Sequence, residues 1–118
     1  MKDLASLQDL DVLLAPAPGC VVIYKHSTQC GMCDAAIEVV RAFEGERPAA
    51  TTIYYLDLLA HRDVSNAVAQ NLGVRHESPQ VLFLKEGKPA AVLNHRAIRL
   101  DALRKAHQAV ADSASQKR

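Results

Sequence analysis

Leu4, Leu7, Leu10 and Leu14 recur at helical spacing with Asp3, Asp9 and Asp11 between them, which predicts an amphipathic helix over residues 3 to 14. Ala15-Pro16-Ala17-Pro18-Gly19 ends it. The pattern then becomes a short continuous apolar run, predicting a buried strand over residues 20 to 25. Helical spacing returns in the stripe Cys33, Ala36, Ile37, Val40, Phe43, with Gly45 and Pro48 as stop signals. Thr51-Thr52-Ile53-Tyr54-Tyr55-Leu56 is β-branched and aromatic and predicts a second strand. Val64, Ala67, Val68 and Leu72 mark a short helix from 63 to 72, with Asp63 a candidate cap and Gly73 just past the end. Val81-Leu82-Phe83-Leu84 predicts a third strand, and Lys85-Glu86-Gly87-Lys88 a turn with glycine at positive φ. Residues 89 to 93 complete a hairpin, and Pro89 marks their strand as an edge. Leu100, Leu103, Ala106 and Val110 predict a last helix, and residues 113 to 118 a polar tail expected to fray.

A length of 118 residues with 49% hydrophobic composition suffices for one core, so residues 1 to 112 are expected to form a single domain. A formal charge of +1 and 4% aromatic residues provide neither a broad positive field nor a base-stacking platform, so nucleic acid is not an expected partner. No apolar stretch approaches the roughly 20 residues that cross a bilayer, and residues 1 to 14 lack a signal-peptide core. The expectation is a cytoplasmic protein with no membrane partner. Three cysteines, an odd number, argue against a disulfide framework.

Two of those cysteines carry the candidate chemistry. Cys30-Gly31-Met32-Cys33 sits where the first strand gives way to the following helix. A helix start offers unpaired N–H groups and a partial positive charge, both of which favour thiolate over thiol. Cys30 is therefore the expected nucleophile, and Cys33, which opens the apolar stripe, the expected resolving thiol. Two intervening residues bring the side chains within disulfide reach across one turn. A structural or metal-binding pair is the competing reading, but one such pair supplies two ligands where about four are wanted. A metal would need His26 or a second subunit, and none is expected.

The predicted order, a helix, then βαβα, then ββα, is the thioredoxin arrangement with a helix added in front. Lys25-His26-Ser27-Thr28 before Cys30, Tyr54-Tyr55-Leu56-Asp57-Leu58, Gly73-Val74, His76-Glu77-Ser78-Pro79-Gln80-Val81 and Gly87-Lys88 together resemble the YtxJ family of monothiol bacilliredoxins, over about residues 20 to 103. The resemblance implies a thioredoxin fold and removal of bacillithiol from protein mixed disulfides, or related disulfide reduction. It implies bacillithiol as the low-molecular-weight co-substrate, where the residues themselves leave glutathione equally open, with no bound cofactor expected, S-thiolated or disulfide-containing proteins as targets and a small thiol as electron source; the alternative is a general thioredoxin-like reductase of protein disulfides fed by a flavoprotein reductase. The family's better-known members have one active-site cysteine, whereas this chain also has Cys33.

The same resemblance places Ser78-Pro79 at a cis-proline loop facing the active cysteine, where the Ser78 backbone would pair with an extended substrate. A trans proline that merely begins a strand is the alternative. His76 is a candidate to line a ligand groove nearby. Lys25 and His26 end the strand before the active loop, where positive charge would lower the Cys30 pKa, and for His26 a capping or core role is equally open. Asp34 reads as a helix-start residue. Thioredoxins carry a buried carboxylate six residues before the first cysteine and a tryptophan immediately before it; here those positions are Tyr24 and Gln29. Cys20, at the far end of a strand some six residues long, is expected roughly 20 Å from Cys30 and so outside the chemistry. His61, His95 and His107 read as surface or cap residues.

Overall fold

The computed structural model describes residues 1–116 as a five-stranded sheet with helices on both faces. The elements are β1 (Lys2–Asp3), α1 (Leu7–Leu14), β2 (Cys20–His26), α2 (Gly31–Gly45), β3 (Thr51–Asp57), α3 (Arg62–Leu72), β4 (Gln80–Lys85), β5 (Lys88–Asn94) and α4 (Leu100–Gln116), with a short 3₁₀ turn at His95–Ala97. Strand order is β1-β3-β2-β4-β5. β2 runs parallel to β3 and antiparallel to β4, so it occupies the centre and is paired on both edges.

Strand alternation divides the core in two. Val22 and Tyr24 of β2 and Val81 and Phe83 of β4 pack against Ala36, Val40 and Phe43 of α2 and Leu103, Ala106 and Val110 of α4. Ile23, Leu82 and Leu84 face the other way, onto Leu10 and Leu13 of α1 and Val64, Val68 and Leu72 of α3. With both faces covered, β2 is a continuous apolar run, as central strands tend to be. The βαβ unit, the hairpin and the terminal helix are thus as expected, and Pro89 lies on the edge strand, beside a bulge between Phe83 and Leu84.

The N-terminus departs from expectation. Residues 2 and 3 form a strand parallel to β3, and Leu4 donates its N–H to the Tyr55 carbonyl at 2.8 Å. The helix begins at Leu7 because Ser6 caps it: its Oγ accepts the Asp9 N–H at 3.0 Å while Asp9 Oδ2 accepts the Ala5 N–H at 3.2 Å. This reciprocal pattern outweighs the leucine spacing. Leu4 is buried ahead of the helix, Leu7 is exposed, and Leu10 and Leu13 form the buried face. Asp63 likewise does not cap α3, which starts at Arg62 behind His61. Asp57 ties down that loop instead, its Oδ1 accepting the N–H groups of Leu59 and Ala60. At the other end of the chain, α4 continues past Ser113 to Gln116, and residues 117 and 118 of the expected tail lie outside the described residues.

Gly73 and Gly87, two of the three glycines at positive φ, adopt it for different reasons. Gly73 ends α3 at φ +62 with open space around it, whereas Gly87 turns the β4–β5 hairpin at φ +76 against the carbonyl of Leu14. A Cβ on Gly87 would lie 2.2 Å from that oxygen. Gly73→Ala should cost about 1 kcal/mol, the price of a left-handed side chain, and Gly87→Ala at least about twice that because α1 must also shift. Urea unfolding of the two variants compares the costs, and equal losses would contradict this packing.

Candidate active site

The chain leaves β2 at His26 and re-enters regular structure at Gly31, so Cys30 occupies the cap of α2 with extended backbone (φ −114, ψ 116). Ser27 shapes the connection: its carbonyl accepts the Cys30 N–H at 3.2 Å and its Oγ the Gln29 N–H at 3.3 Å. Both cysteines of the pair are free, Cys30 partly exposed and Cys33 fully buried.

Their environments push them in opposite directions. The Cys30 pKa is lowered, chiefly because the Cys33 N–H favours the thiolate, with further help from the Cys33 side chain and the Met32 N–H; slight burial and the Asp34 charge oppose this. The Cys33 pKa is raised, first by burial and also by its neighbour Cys30. Two contacts soften that rise: the Ser27 N–H lies 3.4 Å from Cys33 Sγ and the Ser78 hydroxyl 3.5 Å. Asp34 lies in the first turn of α2, as a helix-start residue should.

Ser78 and Pro79 are joined by a cis peptide bond. Pro79 is buried, and its carbonyl accepts the His95 N–H at 2.9 Å. Ser78 directs its hydroxyl at Cys33, while its own backbone groups make no hydrogen bond among the described residues. Cys30, Cys33 and Ser78 therefore form one assembly at the end of the sheet.

Lys25, His26 and His76 take other places. Lys25 alternates with Tyr24 and His26 along β2, so it faces α3, where Nζ donates to the Ser65 carbonyl at 3.4 Å and meets His76 Nδ1 at 3.2 Å. It is fully buried, and desolvation lowers its pKa to about 8. Lys25 is not among the groups that shift Cys30, and the expectation that it tunes that thiol is corrected by its facing the opposite side of the sheet. His76, expected in a groove with Ser78, is held against Lys25 and Ser65 instead, and its pKa is lowered by burial and by the Lys25 charge. His26 does face α2, but its Nδ1 is spent on the Tyr24 hydroxyl at 2.8 Å, and burial lowers its pKa. It too is absent from the groups acting on Cys30.

Tyr24 fills the position where thioredoxins carry a carboxylate. Its buried hydroxyl lies between His26 and the Cys33 carbonyl, to which it donates at 3.3 Å, and burial raises its pKa well above the usual phenol range. Tyr55 closes this cluster, with ring centroids 6.2 Å from Tyr24 and 5.5 Å from His26. Sequence reasoning missed Ser27 and the Tyr24–His26 pair as neighbours of Cys33. The alternation of Tyr24 and His26 on one face of β2 was the available signal. Cys20 lies at the opposite end of β2, paired with Thr51 and Lys85, and burial pushes its thiol up to about 11. Of the other histidines, His61 precedes α3, His95 pairs with Glu77, and His107 meets the Ala49 carbonyl. Among the described residues, no three His, Cys, Asp or Glu side chains gather as a metal site.

The sequence profile of the family described as monothiol bacilliredoxin BrxC matches residues 2–103. The chain belongs to this family. A solved structure described as "a putative oxidoreductase with a thioredoxin fold" is 28% identical and superposes with a TM-score of 0.80 over 89% of this chain and 91% of its own. The thioredoxin of Fasciola hepatica (20% identity, TM-score 0.73, 92% of this chain and 97% of that one) shares the fold. So does the Malassezia sympodialis thioredoxin Mala s 13 (20% identity, TM-score 0.70, 92% and 88%). The fold is that of the thioredoxins, and membership in the bacilliredoxin family makes the chain a thiol-redox protein. No helix of the described residues is long and apolar enough to cross a membrane.

Two measurements follow from these environments. Brief alkylation near neutral pH, read by peptide mass spectrometry, should label Cys30 ahead of Cys33 and Cys20, since only Cys30 combines exposure with a lowered pKa. Equal labelling of all three would contradict the asymmetry. For Lys25, the folded protein releases the ammonium proton at about 8 and the unfolded chain at about 10.5, so the unfolded state binds more protons between those values and stability rises with pH across that window. Lys25→Met should flatten that rise in urea titrations and should be at least as stable as wild type near neutral pH. An unchanged slope would mean that Lys25 is not the group responsible.

Proposed function

We propose that the chain removes a low-molecular-weight thiol from protein mixed disulfides, with Cys30 attacking and Cys33 resolving. The observation that carries this reading is the opposed pair of thiols one turn apart, one accessible with a lowered pKa and one buried with a raised pKa. The Cys30 thiolate attacks the small thiol's sulfur, forming a Cys30 mixed disulfide and expelling the protein thiolate. Cys33 then gives up its proton and attacks the Cys30 sulfur, which closes the Cys30–Cys33 disulfide and expels the small thiolate. Two molecules of a small thiol, which leave joined as their own disulfide, or a flavoprotein reductase supply the two electrons that restore the dithiol.

Family membership supports a small-thiol adduct as substrate, with bacillithiol or glutathione as the co-substrate and S-thiolated proteins as partners. A second thiol supports a dithiol cycle where the family's description is monothiol. The free Ser78 backbone beside Cys33 supports pairing with an extended target segment. Three free cysteines, two of them in this pair, support a reducing cytoplasm as the working compartment. No bound cofactor enters the cycle.

Cys30→Ser should abolish transfer from a mixed-disulfide substrate. Cys33→Ser should still take up the adduct but stall with it on Cys30 when no free thiol is supplied, because the helix otherwise holds Cys33 at an effective concentration far above that of a free thiol. Intact-mass measurement of the trapped species names the adduct in protein recovered from its own cells. If wild type stalls to the same extent and no Cys30–Cys33 disulfide appears on peptide mapping, the cycle is monothiol and Cys33 is a buried helix residue only.

A further inference from the structure

A groove of about 560 Å³ opens beside the cis-proline loop, lined by Met32 of the Cys30–Cys33 segment and by Ser78, Asn94, His95, Arg96 and Ala97. Its volume suits a small molecule, and Ser78 joins it to Cys33. Not one lining residue is acidic. Arg96 is exposed and has no ion-pair partner among the described residues, whereas the polar side chains around it are engaged: His95 Nε2 lies 3.3 Å from Glu77 and Arg75 3.7 Å from it, and Arg99 pairs with Asp101 at 3.3 Å. Asn94 spends its side-chain oxygen on Gln80 Nε2 at 3.0 Å, which leaves its amide hydrogens as further donors.

The wall that carries Arg96 is braced. His95 adopts φ +51, a left-handed conformation that a non-glycine residue holds only when its surroundings impose it. Here the His95 N–H bonds the Pro79 carbonyl, its ring meets Glu77, and Ile98 N–H closes the turn on the His95 carbonyl at 3.2 Å. The exposed Met32 side chain adds an apolar surface to the same groove. A groove that combines a free guanidinium and amide donors with an apolar surface suits a short aliphatic molecule that ends in a carboxylate.

We propose that this groove selects acidic small thiols, with Arg96 binding a carboxylate of the adduct as its sulfur reaches Cys30. The proposal rests on the small-thiol reading above and names the substrate class within it. Arg96 is a specificity residue: its guanidinium favours a carboxylate by charge-assisted hydrogen bonding and leaves an uncharged adduct unaffected.

The binding test uses S-methylglutathione, which carries carboxylates and cannot undergo exchange. Amide shifts of residues 94 to 97 should saturate on titration, weaken with added salt, weaken about fivefold in Arg96→Ala, and be largely kept in Arg96→Lys. Absent shifts, or shifts indifferent to Arg96→Ala, would overturn the proposal. The kinetic test compares one target protein carrying either glutathione or 2-mercaptoethanol as its adduct. Arg96→Ala should slow transfer of the glutathione adduct about fivefold and spare the other. Equal slowing of both would reduce Arg96 to a support of the loop and overturn the assignment. Slowing that follows the acidity of the target protein, and not of the adduct, would overturn it too. Wild type transferring neither adduct would sink the small-thiol function, while the titration still decides the subsite.

Discussion

Burial of the α2 stripe against β2 is the interaction on which the site depends. Cys33, Ala36, Val40 and Phe43 share one helical face, and the core needs that face turned onto the sheet. Cys33 is therefore carried into the interior, while Cys30, at the cap, remains at the surface. The difference between the thiols needs no separate device: desolvation raises one and the N–H groups at the helix start lower the other. The same packing sets their separation, because one turn of α2 lies between them. A substitution that rotated this helix would alter both pKa shifts together.

The active end of the sheet is the place where the core gives up apolar consistency. Lys25 and Gln80 stand opposite each other in the β2–β4 register, and both are fully buried. Gln80 Nε2 serves the Arg75 carbonyl and Asn94, yet its Oε1 has no partner among the described residues. Buried polar groups left in part unpaired cost stability. What they provide is position: Gln80 ties the segment before Ser78 to Asn94, and the His95–Pro79 bond ties the next turn to the proline loop. The loops around the sulfurs are thus fixed from beneath by polar contacts at the strand ends.

Most of the architecture was legible in the sequence because it follows from periodicity. A continuous apolar run marked the central strand, the stripe from Cys33 to Phe43 marked α2, and Gly87 marked the hairpin. Where the reading failed, a local hydrogen bond had outweighed the period: Ser6 and Asp9 start α1 three residues after Leu4, and before α3 it is the loop that is tied down, by Asp57, while the helix itself has no side-chain cap from Asp63. The thiol pair and the proline loop were visible as motifs, but the facing of individual side chains was only partly so. Lys25 and His26 are adjacent in sequence and lie on opposite sides of the sheet, so a charge argument from proximity along the chain could not hold for both. His95 read only as a surface or cap residue, and Arg96 drew no reading, for a related reason: nothing in their local sequence ties them to the proline loop, and only the return of β5 alongside β4 brings them there.

Tyr24 shows what the chain does with a phenol in place of a buried carboxylate six residues before Cys30. A buried acid would repel a Cys33 thiolate and accept its proton; a phenol whose pKa is raised by burial does neither near neutral pH. The groups that favour the Cys33 thiolate here are uncharged, namely the Ser27 N–H and the Ser78 hydroxyl, and both point at the sulfur itself. Tyr24 instead bonds the Cys33 carbonyl and His26, which fixes the first turn of α2 to the strand without placing a charge in the core. The reactivity of Cys33 in this fold is accordingly set by dipoles and burial, and Ser78 is the side chain that links it to the surface where an adduct must arrive.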